Sequence, residues 1–156
     1  METAYIKSPI GNLKITDDDG EIIRLDFCDE FIDTSITNEN LKLCVDELNL
    51  YFQGKLKTFK TKIKLSGTEF EQKVYKALLK IPYGKTATYK DIAINLGLPK
   101  AARAVGNANG KNKIPIIVPC HRVVSVTNLG GYSGGNGLET KKSLLNLEKS
   151  IFIKSK

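Results

Sequence analysis

The chain has 156 residues, 41% apolar and 26% charged, the composition of a globular protein with one domain or two small ones. Its three cysteines, at 28, 44 and 120, are odd in number and widely spaced, which excludes a disulfide framework and points to a reducing compartment. The net charge of +7 is uneven: residues 1–65 hold nine Lys/Arg against twelve Asp/Glu, residues 66–156 fifteen against five. Only the second half is therefore suited to a polyanion, unless its lysines simply solvate the surface. No apolar run follows Met1 and none reaches the roughly 18 residues of a membrane span, so a cytoplasmic location is expected.

Leu13 and Ile15, then Ile23, Leu25 and Phe27, alternate with polar residues at period two and predict two strands. Between them Asp17-Asp18-Asp19-Gly20 is a hairpin turn signal. From about Asn38 the period becomes helical through Leu41, Cys44, Val45, Leu48 and Phe52, until Gly54. Cys44 then reads as a core residue and Cys28 as a strand end. The lysine-interleaved segment from Lys55 to Leu65 is a strand or linker leading to a boundary at Ser66-Gly67. Nothing in residues 1–65 carries recognisable chemistry.

Thr68 to Glu71 forms a capping box that opens a helix with Phe70, Val74, Ala77, Leu78 and Ile81 on one face. Pro82-Tyr83-Gly84 ends it. Thr88 to Asp91 is a second capping box, opening a short helix that stops at Gly97. Pro99 suits the first turn of a third helix, from Lys100 to about Ala108. Two short helices and a tight turn make a helix-turn-helix pattern, which serves DNA binding in some proteins and packing alone in others. On the third helix Ala101, Ala102, Ala104, Gly106 and Ala108 are small, leaving Arg103 as the one long side chain among them. They suit close approach either to a partner or to the protein's own core. Asn107 to Lys113 reads as a loop before a strand at Ile114–Val118.

Ile116 to Val124 is an apolar, β-branched stretch, read as buried strand, that sets Cys120 beside the only histidine, His121, with Arg122 next. A cysteine thiol has an ordinary pKa of about 8.5 and its thiolate is the nucleophile. A neighbouring imidazole and guanidinium raise the thiolate fraction. The competing reading is a structural cysteine beside a satisfied histidine. Downstream, five glycines between Asn128 and Gly137 make a loop whose tip presents Tyr132 and Ser133. A last helix from about Leu138 carries Leu144, Leu145, Leu147 and Glu148, the last by itself a solvated helix charge.

In order and spacing, these elements resemble the O6-alkylguanine-DNA alkyltransferases. The matching residues are Gly67-Thr68-Glu69-Phe70, Ile81-Pro82-Tyr83-Gly84, Thr88-Tyr89, Ile92-Ala93, Ala101-Ala102-Arg103-Ala104-Val105-Gly106 and Asn112. Pro119-Cys120-His121-Arg122-Val123, Gly131-Tyr132-Ser133-Gly134-Gly135 and Leu144-Leu145 with Glu148 complete the set. The likeness covers residues 66–156, and residues 1–65 match only loosely through the hairpin, the helix and Tyr51-Phe52-Gln53-Gly54.

The resemblance implies an α/β (α+β) chain: a ribonuclease-H-like N-terminal module over 1–65, then a helical, winged helix-turn-helix-type domain over 66–156. It implies irreversible transfer of an alkyl group from O6-alkylguanine in DNA to Cys120, with O4-alkylthymine a further possible substrate. His121 would activate Cys120, directly or through a water, and Glu148 would orient His121. Tyr89 and Ser133 would donate to the leaving guanine, the carbonyls of Cys120 and Val123 would accept from its amino group, and Tyr132 would line the pocket. Asn112 would link the third helix to the Cys120 segment. The target nucleotide must leave the stack, and Arg103 would fill the space it vacates. Lys100, Ala102, Gly106, Arg122 and Tyr89 would complete a minor-groove surface on double-stranded DNA. No cofactor is expected, a monomer is, and so is an accessible sulfur. The only two cysteines of residues 1–65, with no histidine, cannot build the four-ligand zinc site of some relatives. Three other readings compete: a sensor of alkylated DNA without catalysis, a Cys-His hydrolase, and a transcription factor.

Overall fold

The computed structural model of the chain describes residues 1–154 and falls into two compact units, Met1–Lys64 and Leu65–Lys156. In the first, β1 (Glu2–Ile6), β2 (Asn12–Asp18) and β3 (Glu21–Cys28) form an antiparallel sheet in that order, with α1 (Glu39–Phe52) packed against it. Strand β1 is additional to the expected strands; its Ala4 and Ile6 alternate inward with period two. The turn at Asp19 (φ 52°) and Gly20 (φ 85°) has both residues left-handed, the two-residue hairpin whose twist matches the strands. Asp17 caps it by accepting from the Gly20 N–H at 2.9 Å.

One correction concerns the sheet's inner face. Thr16 pairs with Arg24 but Asp17 with Ile22, so Ile23 is the extra residue of a bulge. Parity flips there, and Ile22 rather than Ile23 enters the core with Leu13, Ile15, Leu25, Leu41 and Leu48. Cys44 is fully buried in that core, and burial drives its thiol up to about 12.

The second unit contains α2 (Glu69–Leu78), β4 (Ala87–Thr88), α3 (Tyr89–Asn95), α4 (Ala102–Gly110), β5 (Val123–Val124) and α5 (Leu138–Lys154). Thr68 with Glu71 and Thr88 with Asp91 each close a reciprocal capping box, which fixes where α2 and α3 begin. The third helix starts later than expected. Pro99 occupies a turn closed by Ala101 N–H to Leu98 O at 2.9 Å, where its fixed φ suits the second position. The helix also runs on to Gly110, so Asn107–Gly110 is not loop. Buried Asn109 and Ala108 anchor that last turn, overriding the poor propensity of Asn and Gly.

The expected strands at Ile114–Val118 and through Cys120 are absent. Pro115 and Pro119 have no N–H to give a ladder, and the chain closes on itself instead. Ile117 N–H bonds Pro115 O at 2.9 Å and Val118 N–H bonds Ile114 O at 3.0 Å, with Ile116 left-handed at φ 75°. A β-branched residue in that region costs on the order of 1–3 kcal/mol, and the surrounding packing, which leaves Ile116 1% exposed, holds it there. Cys120–Arg122 form one 3-10 turn, not strand, and only Val123–Val124 extend, pairing in parallel with Ala87–Thr88.

Candidate active site

The parallel pair β4–β5 has a direct consequence for the chemistry. Thr88, the cap of α3, lies opposite Val124, so α3 begins beside the end of the short strand that follows the Cys120 turn. From the other side α5 packs on that turn. Residues 141, 144 and 148 recur at helical spacing on its inner face, and all three are buried.

Glu148 is 1% exposed and forms the hub. Its Oε2 accepts from His121 Nε2 at 2.6 Å and from Arg122 Nη2 at 3.1 Å; its Oε1 accepts from Arg122 Nε at 2.8 Å and from the Gly84 N–H at 3.3 Å. Burial alone would raise this carboxyl, but the bonds and charges of His121 and Arg122 hold it down at about 2. It is therefore an anion, with the bidentate guanidinium as counter-charge. His121 is fully buried, and burial pushes it below its ordinary value, so the ring is neutral. With Nε2 donating to the carboxylate, Nδ1 is left as acceptor, buried and with no partner among the described residues.

Cys120 is 5% exposed, so the accessible sulfur expected from the sequence is replaced by a covered one. Burial pushes its thiol up; the Asn112 side chain, the Lys141 charge and nearby backbone N–H groups pull the other way. Asn112 also staples the segment, donating to Val118 O at 2.8 Å and accepting from the Ile114 N–H at 3.0 Å. Asn109 donates to Cys120 O at 3.3 Å.

The glycine-rich segment covers the site. Gly131 N–H donates to the Tyr89 hydroxyl at 3.2 Å, and Ser133 donates to Gly110 O at 3.2 Å. Gly130 (φ 72°) is required here, because a Cβ would collide with the Tyr89 ring. Tyr132 does not sit at an exposed tip. Its hydroxyl is buried with no partner among the described residues, and burial raises its pKa further.

Lys141 is wholly buried, its Nζ donating to Val123 O at 2.6 Å and Gly131 O at 3.0 Å. Burial lowers it to about 8. It ties the glycine-rich segment to the Cys120 turn and already engages the Val123 carbonyl assigned to guanine. Sequence reading missed Lys141, Asn109 and Gly84. The signal for Lys141 was its helical spacing from Leu144 and Glu148. Asn109 was masked by its assignment to a loop.

Arg122 must be corrected. It is 6% exposed, bound to Glu148 and to Ile81 O at 2.7 Å, and its guanidinium lies over the Tyr83 ring, so it is no DNA-facing cation. Lys100 and Arg103, by contrast, are exposed, and Ala102 and Gly106 are half-buried. Arg103 makes no hydrogen bond or ion pair among the described residues.

The helical unit carries a buried Cys-His-Glu constellation, and the sheet-bearing residues form a second compact unit. Residues 1–65 match the family model of the 6-O-methylguanine DNA methyltransferase ribonuclease-like domain, and residues 69–150 that of its DNA-binding domain. The chain belongs to the 6-O-methylguanine DNA methyltransferase family. A methylated-DNA–protein-cysteine methyltransferase of Mycobacterium tuberculosis is 46% identical, covering 93% of this chain and 90% of the relative. One from Methanosarcina acetivorans is 43% identical, covering 96% and 99%. The crystal structure of the Mycobacterium tuberculosis OGT in complex with DNA superposes with a TM-score of 0.86 at 43% identity, covering 97% of this chain and 94% of that one. Among the described residues no helix is long and apolar enough to cross a membrane.

Proposed function

We propose that this protein repairs double-stranded DNA by moving the alkyl group of O6-alkylguanine onto Cys120, once per molecule and irreversibly. The observation that carries the reading is His121, the residue after Cys120: its Nε2 is engaged by an ionised Glu148, while Nδ1 is a buried acceptor with no partner among the described residues. In the proposed step the Cys120 thiol proton passes to His121 Nδ1, through a water where the geometry needs one. The Sγ–C bond forms as the C–O6 bond breaks, and guanine leaves with the electron pair. Donors at its N3 and O6 stabilise that developing charge; Tyr89 and Ser133 are assigned to them. Proton return to guanine completes the balance, leaving a neutral base and a thioether.

Both assigned donors are engaged with the covering segment: Tyr89 holds Gly131, and Ser133 holds Gly110. Substrate entry in this reading exchanges those bonds for bonds to the base, and moves Tyr132 with the segment to admit it. Val123 O accepts from the guanine amino group only by sharing with or displacing Lys141 Nζ. The α3–α4 pair, with small residues and Arg103 on α4, is assigned to the minor groove, where close backbone approach is needed and Arg103 fills the stack. Lys100, Ala102 and Gly106 line that approach. The unit over residues 1–65 is given a structural part, and the protein acts as a cytoplasmic monomer without a cofactor.

Incubation with a duplex containing O6-methylguanine, followed by trypsin, tests this. The peptide 114–122 is expected to carry one methyl group, and the Cys120→Ser protein none. Methyl on another residue, or release of methanol with unmodified Cys120, would remove the assignment.

A further inference from the structure

The sheet-bearing unit holds a second buried carboxylate that plays no part at Cys120. Glu47, on α1, is 4% exposed. Its carboxylate accepts from the Lys60 N–H at 2.9 and 3.0 Å, from the Thr61 N–H at 2.8 Å and from the Thr61 hydroxyl. Next along the chain, Lys62 N–H donates to Asn40 Oδ1 at 2.9 Å and Asn40 Nδ2 donates to Lys62 O at 3.0 Å. Ile22 of β3 then takes both sides: its N–H bonds Lys62 O and its carbonyl accepts from the Lys64 N–H, each at 2.9 Å.

These bonds hold residues 60–64 extended along the edge of the sheet, with Thr61 buried and Ile63 half-buried. Lys60, Lys62 and Lys64 are exposed on the opposite side, and none makes a hydrogen bond or ion pair through its ammonium among the described residues. Five of the nine basic residues of this net-acidic unit fall between positions 55 and 64. Burying an ionisable group is costly, and here the whole return on that cost is a rigid backbone under three like charges. Successive lysines lie about 6.7 Å apart, because residues on one side of extended chain repeat every two positions. The row spans about 13 Å. One strand of duplex DNA presents a phosphate every ~3.4 Å of axial rise, so a row of this length meets several.

We propose that Lys60, Lys62 and Lys64 form a preorganised contact to the DNA phosphate backbone, independent of base sequence and separate from the α3–α4 surface. The inference rests on the DNA-repair reading above. It gives the first unit a share in DNA affinity besides its structural part.

Binding of the full chain to a duplex carrying O6-methylguanine, measured over a range of salt concentrations, tests it. Each phosphate contact contributes about 0.9 to the slope of log K against log salt. The K60Q/K62Q/K64Q protein is therefore expected to have a slope shallower by about 2.7. Benzyl transfer from free O6-benzylguanine to Cys120 should be unchanged, as should the urea midpoint, because the anchoring bonds use backbone atoms. The K7Q/K42Q protein, which loses two charges at exposed lysines elsewhere in the same unit, controls for positive charge lost away from the row and should keep the wild-type slope. K60R/K62R/K64R should also keep it. An unchanged slope in the triple glutamine variant, or an equal change in the K7Q/K42Q control, overturns the inference. A wild-type protein that neither binds nor repairs the duplex overturns the DNA-repair reading instead.

Discussion

Glu47 and Glu148 are both carboxylates on helices, both nearly excluded from water, and each accepts at least four hydrogen bonds. Their partners differ. Glu47 takes backbone N–H groups and a hydroxyl, so its effect ends at fixing a segment. Glu148 takes a guanidinium and an imidazole, and the imidazole keeps a second nitrogen for chemistry. Burial of a charge does not by itself mark an active site; what the partner can still do marks it. The cysteines repeat the lesson. Cys44 sits in an apolar core that drives its thiol up to about 12, whereas Asn112 and Lys141 act against the burial of Cys120.

The largest effect that should separate the two carboxylates is on rate. Glu148→Gln removes the anion that orients His121 and leaves Arg122 buried without a counter-charge. Single-turnover methyl transfer is expected to fall about 10²-fold or more, with a loss of about 3–5 kcal/mol in urea unfolding. Glu47→Gln should lose about 1–3 kcal/mol from weakened acceptors, with no change in reaction with free O6-benzylguanine. Equal slowing by both variants would erase the distinction drawn between them.

Acid unfolding sharpens the same comparison. A carboxyl near 2 in the folded state, against an ordinary 4.5, contributes stability that is complete above about pH 4.5 and is lost as pH falls toward 2. For Glu148 this is on the order of 3 kcal/mol, and the Glu148→Gln protein should lack that part of the acid transition. Lys141 has the opposite consequence: lowered to about 8 from 10.5, it makes stability rise with pH between those values. A Lys141→Met protein should lose that rise, seen in unfolding midpoints at pH 8 and 10.

Next in size is Arg103→Ala, expected to slow repair in duplex DNA at least tenfold, since the unstacked base costs a few kcal/mol, while sparing free O6-benzylguanine. Equal losses on both substrates would withdraw its role in the stack. Gly130→Ala places a Cβ on the Tyr89 ring at a left-handed backbone position, and should cost severalfold in rate on both substrates.

The capping boxes, the hairpin turn and the helical periods were legible because each is a local rule met by adjacent residues: Thr68 with Glu71, Thr88 with Asp91, Asp19 with Gly20. The Cys120 turn was misread as strand because β-branched composition outweighed Pro115 and Pro119, whose missing N–H groups decide the backbone. Ile23 was placed in the core because no local pattern announces a bulge. Within the site, Cys120 and His121 stood out as a thiol beside the only histidine, whereas the role of Glu148 came through resemblance and composition alone made it a surface charge. Arg122 was placed at the DNA through the resemblance, and no local pattern announces its actual partner, which lies 26 positions away. Lys141 drew no notice in the sequence, although its spacing from Leu144 and Glu148 places it on the covered side of α5.

Titration of the protein against a fixed excess of duplex O6-methylguanine tests the central claim most directly. At each amount of protein, restoration should stop once the guanine restored equals the protein added, a slope of one, with every Cys120 methylated. Restoration that continues past one lesion per protein molecule, or a plateau with Cys120 unmodified, would contradict it.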